Sequence, residues 1–361
     1  MRVGGQRAVG VLTLAVAAAA SAMYYAAGFQ DAALLILFGL AYGFFLYYGY
    51  LCFATAMYGF NLRLTRAILF GLLVASIGAY LVIKAGLRVP AVPPSGINVL
   101  VGSIIFGMAM PLAGGCMSGV MFRLGGGSLY AAAAFAGILI GNLFGVLYAW
   151  PTTEMLQSAV GTFRLYPVLG PDGGLAANIS IIALLLLLLT LKEAKASGTP
   201  PLRILAEDLR GTHFIAAGAF ALVWISQFAY HSALTTQVPL ARLMVWTSGI
   251  NPPEGWISFV GGVRVPNEDP LLLLILALLA GSAAAALFKG AFLGFSRIPP
   301  RDAAVAFIGG FIMGYSVWIA VGCNISGFWS AVASLRTDGW LYAVGLFIGA
   351  KIGLSIRAKI G

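Results

Sequence analysis

The sequence predicts an all-α, polytopic membrane protein, and three observations predict it. Hydrophobic residues make up 61% of the 361 positions and charged residues only 9%, whereas a soluble domain carries about 25% charged residues. Several apolar stretches reach the roughly 20 residues that a helix needs to cross a bilayer. Glycine is abundant, with 47 copies, and small residues let apolar helices approach closely within a membrane.

Ten main apolar segments follow one another along the chain, near 8–28, 32–58, 65–86, 97–114, 128–150, 176–192, 212–231, 270–289, 302–321 and 339–356. A shorter segment, 234–250, holds Arg242 and Pro239 and reads as a partial span or an interfacial helix. Arg2 and Arg7 precede the first apolar run. That run is long for a signal peptide and further spans follow, so it is expected to stay as a first helix.

The Lys and Arg residues set the orientation. With the N-terminus cytoplasmic and ten crossings, 15 of the 21 basic residues fall inside. Lys84, Arg88, Arg164, Arg242, Arg264 and Arg336 fall outside. Both termini are therefore expected in the cytoplasm, in a plasma (inner) membrane. The net charge of +10 belongs to these loops and not to a nucleic-acid surface, since no basic tail or aromatic–basic interleaving accompanies it. The expected division is a first half, 1–192, a polar cytoplasmic linker, 193–211, carrying Pro200 and Pro201, and a second half, 212–361.

The halves share a pattern. Gly107 and Gly314 stand nine residues before Cys116 and Cys323, Ala113 and Ala320 three before, and Gly115 and Gly322 directly before. Leu129-Tyr130 and Leu341-Tyr342 follow. Each copy then runs into a helix with glycine at every fourth position, Gly137, Gly141 and Gly145 in one and Gly345, Gly349 and Gly353 in the other. Five crossings separate the copies, so they point in opposite directions. An inverted repeat of this kind places a site near the midplane at broken helices. The stretches after Gly115-Cys116 and Gly322-Cys323 run about ten residues, roughly 15 Å of helix or half a bilayer, and are expected to be half-length re-entrant helices.

Three cysteines occur, Cys52, Cys116 and Cys323. An odd number cannot pair completely. No Cys-x-x-Cys or Cys/His spacing suggests a metal, and no cofactor is implied. Cys52 alone reads as a packing residue, while the symmetric placement of Cys116 and Cys323 favours a role. A thiol is a weak donor with a polarizable sulfur, suited to a soft substrate. Short helices starting at such breaks aim N–H groups at an anion.

These motifs resemble those of the YeeE/YedE family. Leu112-Ala113-Gly114-Gly115-Cys116-Met117-Ser118-Gly119, with Phe122-Arg123 and Gly125-Gly126-Gly127-Ser128, is similar to its second cysteine motif. Gly322-Cys323-Asn324-Ile325-Ser326-Gly327, with Gly339-Trp340, is similar to the third, and Leu51-Cys52-Phe53 to the first. Val321 stands where the family usually has glycine. The resemblance implies inverted repeats, an hourglass cavity and uptake of thiosulfate or another sulfur or selenium compound. It also implies that Cys52, Cys116 and Cys323 pass the substrate inward by transient S–H···S contacts. The expected substrate-binding set is these three cysteines with Gly115, Ser118, Gly322 and Asn324.

Other residues read as structural: His231-Ser232 as a helix-end cap, Asn142 as a helix–helix hydrogen bond, Arg123 as a cytoplasmic anchor, and Tyr47, Tyr48 and Tyr50 as an interfacial aromatic belt. The acidic residues lie almost all in loops, against a relay of buried carboxylates, and no Walker-type loop is present. Channel-like conduction and ion coupling both stay open as energy sources. A non-enzymatic transporter is thus expected, in contact with membrane lipid and with room for a soluble sulfur-carrier protein at 193–211. The competing reading is a transmembrane thiol-redox protein, which requires cysteines within disulfide reach.

Overall fold

The computed structural model of the chain describes residues 3–59, 61–91, 93, 95–161 and 165–360. Arg2 and Arg164, which entered the orientation argument, lie outside the described residues. Every regular element among the described residues is helical. Among the described residues ten helical stretches are long and apolar enough to cross a membrane, and they coincide with the ten apolar segments. The chain is an all-α, multi-pass membrane protein.

In order, the helices are α1 (Val3–Ala26), α2 (Gln30–Tyr48), α3 (Phe53–Tyr58), α4 (Leu62–Lys84), α5 (Ile97–Ala113), α6 (Met117–Gly125) and α7 (Leu129–Phe144). A π-helical turn, Gly145–Ala149, carries α7 into α8 (Trp150–Val160). Then come α9 (Leu165–Ser197), kinked at Gly170, α10 (Pro201–Leu209), α11 (Thr212–Tyr230), α12 (Gln237–Ser248), α13 (Glu254–Val260), α14 (Pro270–Phe288) and α15 (Pro300–Ile319). A π-helical stretch, Asn324–Trp329, leads into α16 (Ser330–Ala333), and α17 (Asp338–Ile360) closes the chain.

One segment differs from its reading in the sequence, and one agrees with it. The apolar run 32–58 is not one helix, because α2 ends at Tyr48 and α3 starts afresh at Phe53. Hydropathy does not register a change of backbone direction inside an apolar run. The segment 234–250 becomes α12, 12 residues long, about 18 Å of helix and too short for a bilayer core of about 30 Å.

The glycine stripes explain how the long helices pack. A Cβ at Gly141 would lie 2.1 Å from the Phe311 carbonyl oxygen of α15, and one at Gly349 would lie 2.1 Å from that of Ile104 on α5. Only backbone-to-backbone approach fits there, so these stripes serve packing within the chain. The extensive pairings form a matched scheme. Helix α2 lies on α14 and α11 on α4; α5 lies on α17 and α15 on α7; α5 and α15 meet each other; α1 lies on α14 and α9 on α4. Exchanging α2 with α11, α4 with α14, α5 with α15, α7 with α17 and α1 with α9 maps these pairings onto one another or onto themselves, while the packing of α1 on α2 has no comparable counterpart between α9 and α11 among the described residues.

The polar linker is itself anchored. The side chain of Arg66 on α4 is fully buried and bonds Asp208 of α10 and Glu193 of α9, each at 2.6 Å. Arg63 adds a bond to Asp208 at 3.1 Å.

Candidate functional site

The three cysteines sit at equivalent turns. Two residues before each, the backbone is left-handed: Tyr50 (φ 46°), Gly114 (φ 76°) and Val321 (φ 54°). The next N–H reaches back five residues, from Leu51 to Leu46 at 3.0 Å, from Gly115 to Met110 at 2.9 Å and from Gly322 to Val317 at 2.9 Å. This is the Schellman ending of a helix, in which glycine normally takes the left-handed position. Val321 takes it with a β-branched side chain, a strained choice. The turn stops each long helix, and the cysteine then becomes the N-cap of the short helix that follows. Tyrosines hold two of the endings: Tyr130 donates to the Leu112 carbonyl at 2.6 Å and Tyr342 to that of Gly322 at 3.0 Å.

All three cysteines are buried and free of disulfides. The sulfurs of Cys52 and Cys116 lie side by side over Gly119. Gly119 leaves the room for this pair, since a Cβ there would lie 3.0 Å from Cys52 Sγ and 3.4 Å from Cys116 Sγ. Cys116 Sγ also meets Ser118 Oγ at 3.3 Å and accepts the Gly119 N–H at 3.4 Å.

A polar chain leads onward from the pair. Asn324 donates from Nδ2 to Ser118 Oγ at 3.1 Å, while its Oδ1 is buried without a hydrogen-bond partner. The adjacent Cys323 Sγ lies 3.2 Å from Thr236 Oγ1 and 3.5 Å from Ser326 Oγ. Ser326 donates to Gln237 Oε1 at 2.9 Å and accepts the N–H of Cys323 at 3.0 Å.

Gln237 and Ser326 form part of the wall of a cavity of about 530 Å³. Arg88, Arg336, Arg242 and His231 also line it. Arg336 is tied to Asp338 and the Ala91 carbonyl, and Arg242 to Asp269 and the Val260 carbonyl. Arg88 donates to the Tyr230 carbonyl and lines the cavity with no carboxylate of its own among the described ion pairs. The cavity therefore carries net positive charge beside a set of neutral donors. At the other end of the polar chain, beside Cys52 and Cys116, Arg123 donates to the Gly114 carbonyl and stands over the Phe122 ring.

The structure brings Cys52, Cys116, Ser118, Asn324 and Cys323 into one buried assembly. Gly115 and Gly322 shape the turns and contribute no side chain. Cys52, which by itself reads as packing and which the family resemblance puts in the expected substrate-binding set, stands beside Cys116, and the two thiols form a close pair that their distant positions in the chain conceal. Arg123 is more than a surface anchor, since it caps the broken end of α5. Asn142 makes its helix–helix bond, accepting from Trp318 Nε1 at 3.0 Å. His231 bonds Ser232 Oγ at 2.8 Å through Nδ1 and also lines the cavity. Thr236 and Gln237 carry no motif in the sequence, and the cavity arginines read there only as orientation signals. The one sequence signal at Thr236 and Gln237 was the polar interruption around 231–237 between two apolar stretches. Among the described residues no cluster of metal-ligating side chains occurs.

Residues 49–352 match the model of a protein family described as sulphur transport. The chain is similar to the probable transporter YedE of Salmonella typhimurium, 28% identical over 160 residues. That match covers 43% of this chain and only 40% of the relative's length. It is also similar to the thiosulfate transporter TsuA of Escherichia coli, 27% identical over 315 residues, 80% of this chain and 83% of the relative. The thiosulfate transporter TsuA of Spirochaeta thermophila is 27% identical over 337 residues, 87% of this chain and 95% of that protein.

Proposed function

The chain belongs to the sulphur transport family, and from that premise we propose that it takes up thiosulfate, or a related small sulfur-containing anion, along the buried chain of thiols and hydroxyls. The observation that carries this reading is the arrangement itself. A basic cavity opens beside Ser326 and Gln237, and from there Cys323 and its neighbour Asn324, then Ser118, Cys116 and the adjacent Cys52, follow one another.

Arg88 and the paired arginines draw the anion into the cavity, where low dielectric strengthens the attraction. Ser326 and Gln237 replace part of its hydration. Thiols then offer weak S–H donors and polarizable surfaces to a sulfur end. Weak contacts at several stations let an ion leave each one, as conduction requires. No covalent bond to cysteine is needed. The Asn324 Oδ1 that lacks a partner and the Arg123 guanidinium beyond Cys52 complete the polar lining.

In the same proposal the cavity faces outward and both termini face the cytoplasm of an inner membrane, as the excess of basic residues on one side supports. The two halves form an inverted repeat, and the exchange symmetry of the helix pairings supports it with the second half beginning at α9, so that 193–211 lies within the second half. In this scheme α9 plays on α4 the part that α1 plays on α14. The short helices after each cysteine are re-entrant, since none is long enough to span. The linker helix α10, with Leu202 and Leu209 exposed, is available to a soluble sulfur carrier.

The test is uptake of labelled thiosulfate into vesicles by the native chain and by Cys52→Ala, Cys116→Ala and Cys323→Ala at matched membrane levels. Loss of uptake in all three supports a thiol-lined path. No uptake by a folded native chain rejects thiosulfate and turns attention to other sulfur and selenium compounds. Undiminished uptake in the variants leaves the cysteines as packing residues. One observation favours a second reading, a transmembrane thiol-redox protein: the placement of Cys52 beside Cys116. It calls for a disulfide that forms and breaks reversibly during turnover, which differential thiol labelling detects. Transport without any change in labelling excludes it.

A further inference from the structure

Four short helices start inside the fold: α3, α6, α12 and the stretch from Asn324 through α16. Their N-cap residues are Cys52, Cys116, Thr236 and Cys323. The exchange that relates the long helices extends to these. Helix α3 packs on α4 and α17, and α12 packs on α14 and α7, which are the exchanged partners. Thr236 therefore holds the position in the second half that Cys52 holds in the first. Its placement agrees: as Cys52 stands beside Cys116 over Gly119, Thr236 stands beside Cys323, at 3.2 Å. The fourth break enters its helix by a longer loop, His231 to Thr235, yet delivers its cap residue to the same place.

Thr236 is fully buried. Its hydroxyl makes no bond to its own helix, although an N-cap threonine ordinarily does so. Instead it bonds two sulfur atoms, Met117 Sδ at 3.1 Å and Cys323 Sγ at 3.2 Å. Sulfur is a weak partner for a hydroxyl. A buried hydroxyl held only by sulfurs is ready to exchange one of them for a better acceptor.

We propose that Thr236 is a fourth substrate-contacting station and sets specificity, its hydroxyl standing where the repeat would place a fourth thiol. This rests on the transport reading above. The station next to the basic cavity then offers one hard donor, Thr236, and one soft one, Cys323. The station farther on offers two soft ones, Cys116 and Cys52. An anion with oxygens at one end and an exposed sulfur at the other satisfies the mixed station, its oxygen on the hydroxyl and its sulfur on the thiol. An anion with only one kind of end satisfies half of it. The mixed pair thus selects for a sulfur anion that also carries oxygen, before the all-thiol pair is reached.

The experiment compares the native chain with Thr236→Ser, Thr236→Val and Thr236→Cys in vesicles, at matched membrane levels and with thermal unfolding checked in detergent. Labelled thiosulfate is the probe, with unlabelled hydrosulfide and sulfate as competitors. Thr236→Ser is expected to keep uptake within about 2-fold of native. Thr236→Val, which is nearly isosteric, is expected to raise KM about 10-fold with its unfolding temperature little changed. Thr236→Cys is expected to make hydrosulfide a stronger competitor against thiosulfate by about 5-fold, a change that packing alone does not produce. Placement is read separately. In a Cys52→Ala, Cys116→Ala background, copper(II)–phenanthroline should link Thr236→Cys to Cys323, the two thiols giving two protons and two electrons to the copper oxidant. Native KM and native competition in Thr236→Val and Thr236→Cys overturn the assignment while leaving the transport reading intact. Failure of the link, when Cys52 and Cys116 link under the same conditions, overturns it as well. Absence of thiosulfate uptake by the native chain defeats the transport reading and this station with it.

Discussion

Asn324 donates to Ser118 at 3.1 Å, and this bond joins the broken end of α15 to the first turn of α6, one from each half of the chain. Ser118 passes the contact to Cys116 at 3.3 Å, so a single amide ties two of the three cysteine turns together. Both side chains are fully buried. A neutral hydrogen bond of this kind contributes about 1 kcal/mol net, but an orphaned buried partner costs about 1–3 kcal/mol.

Asn324→Ala is therefore expected to destabilise the protein by about 2 kcal/mol and to lower uptake more than Ser118→Ala does, because Asn324 also supplies the free Oδ1. The two changes share one bond, so their combined cost should fall short of the sum by about 1 kcal/mol. Thermal unfolding in detergent and vesicle uptake of the two single variants and the double variant check this. Strict additivity would show that the bond carries nothing.

Close packing makes a second prediction. Gly349→Ala places a methyl 2.1 Å from the Ile104 carbonyl oxygen, and α5 and α17 must separate to admit it. Overpacking of this order costs about 2 kcal/mol. Gly218→Ala on α11 meets only the Phe70 ring, at 3.5 Å, and gains helix propensity. Its effect should stay within about 0.5 kcal/mol or be stabilising. Unfolding temperatures and membrane yields of the two variants measured side by side distinguish them, and equal losses would contradict the packing argument.

The membrane class, the ten spans and two of the cysteine turns were legible in the sequence, since each rests on local signals: hydropathy for the spans, Gly114-Gly115 and Gly322 for the turns. The turn at Cys52 was not legible, because Tyr50 takes the left-handed conformation that glycine usually announces. Thr236 was hidden for a related reason. Its break carries no cysteine and no glycine, and its partner Cys323 is distant in the chain. The basic cavity escaped notice because Arg88, Arg242 and Arg336 stand in separate segments, each of which alone reads as an ordinary orientation signal.

The anchor of the linker makes a third prediction. Arg66→Met strips Asp208 and Glu193 of a buried partner. Removing one member of a buried ion pair costs about 3–5 kcal/mol, and Arg63, still 3.1 Å from Asp208, offsets part of it. A loss of about 2 kcal/mol is expected, together with faster protease cleavage between 198 and 211. Arg66→Lys should not rescue it, because one ammonium cannot fork to two carboxylates that the guanidinium reaches through Nε and Nη1. Native resistance to cleavage in Arg66→Met would mean that the linker is held by other contacts.

The cavity histidine makes the fourth. Burial pushes His231 below its ordinary value of 6.5, with Arg88 and Arg264 adding to the shift and Asp31 and Asp269 opposing it. At neutral pH the imidazole is thus uncharged, and Arg88, without a carboxylate partner among the described ion pairs, supplies charge to the cavity. Arg88→Gln should raise KM about 5-fold at low salt and less at high salt, where screening already weakens the attraction. Acidification has two opposite effects through His231. Protonation adds a positive charge to the cavity, so KM should fall as pH drops through the lowered pKa. The unfolded chain takes up that proton more readily than the folded one, so this group's contribution to stability is present above about pH 6.5 and is lost as pH falls below it. His231→Gln should abolish both the acid-side fall in KM and that part of the acid-side loss of stability. Uptake kinetics and unfolding temperatures measured across mildly acid pH separate the two effects. A KM that falls equally in His231→Gln would assign the acid response to another group.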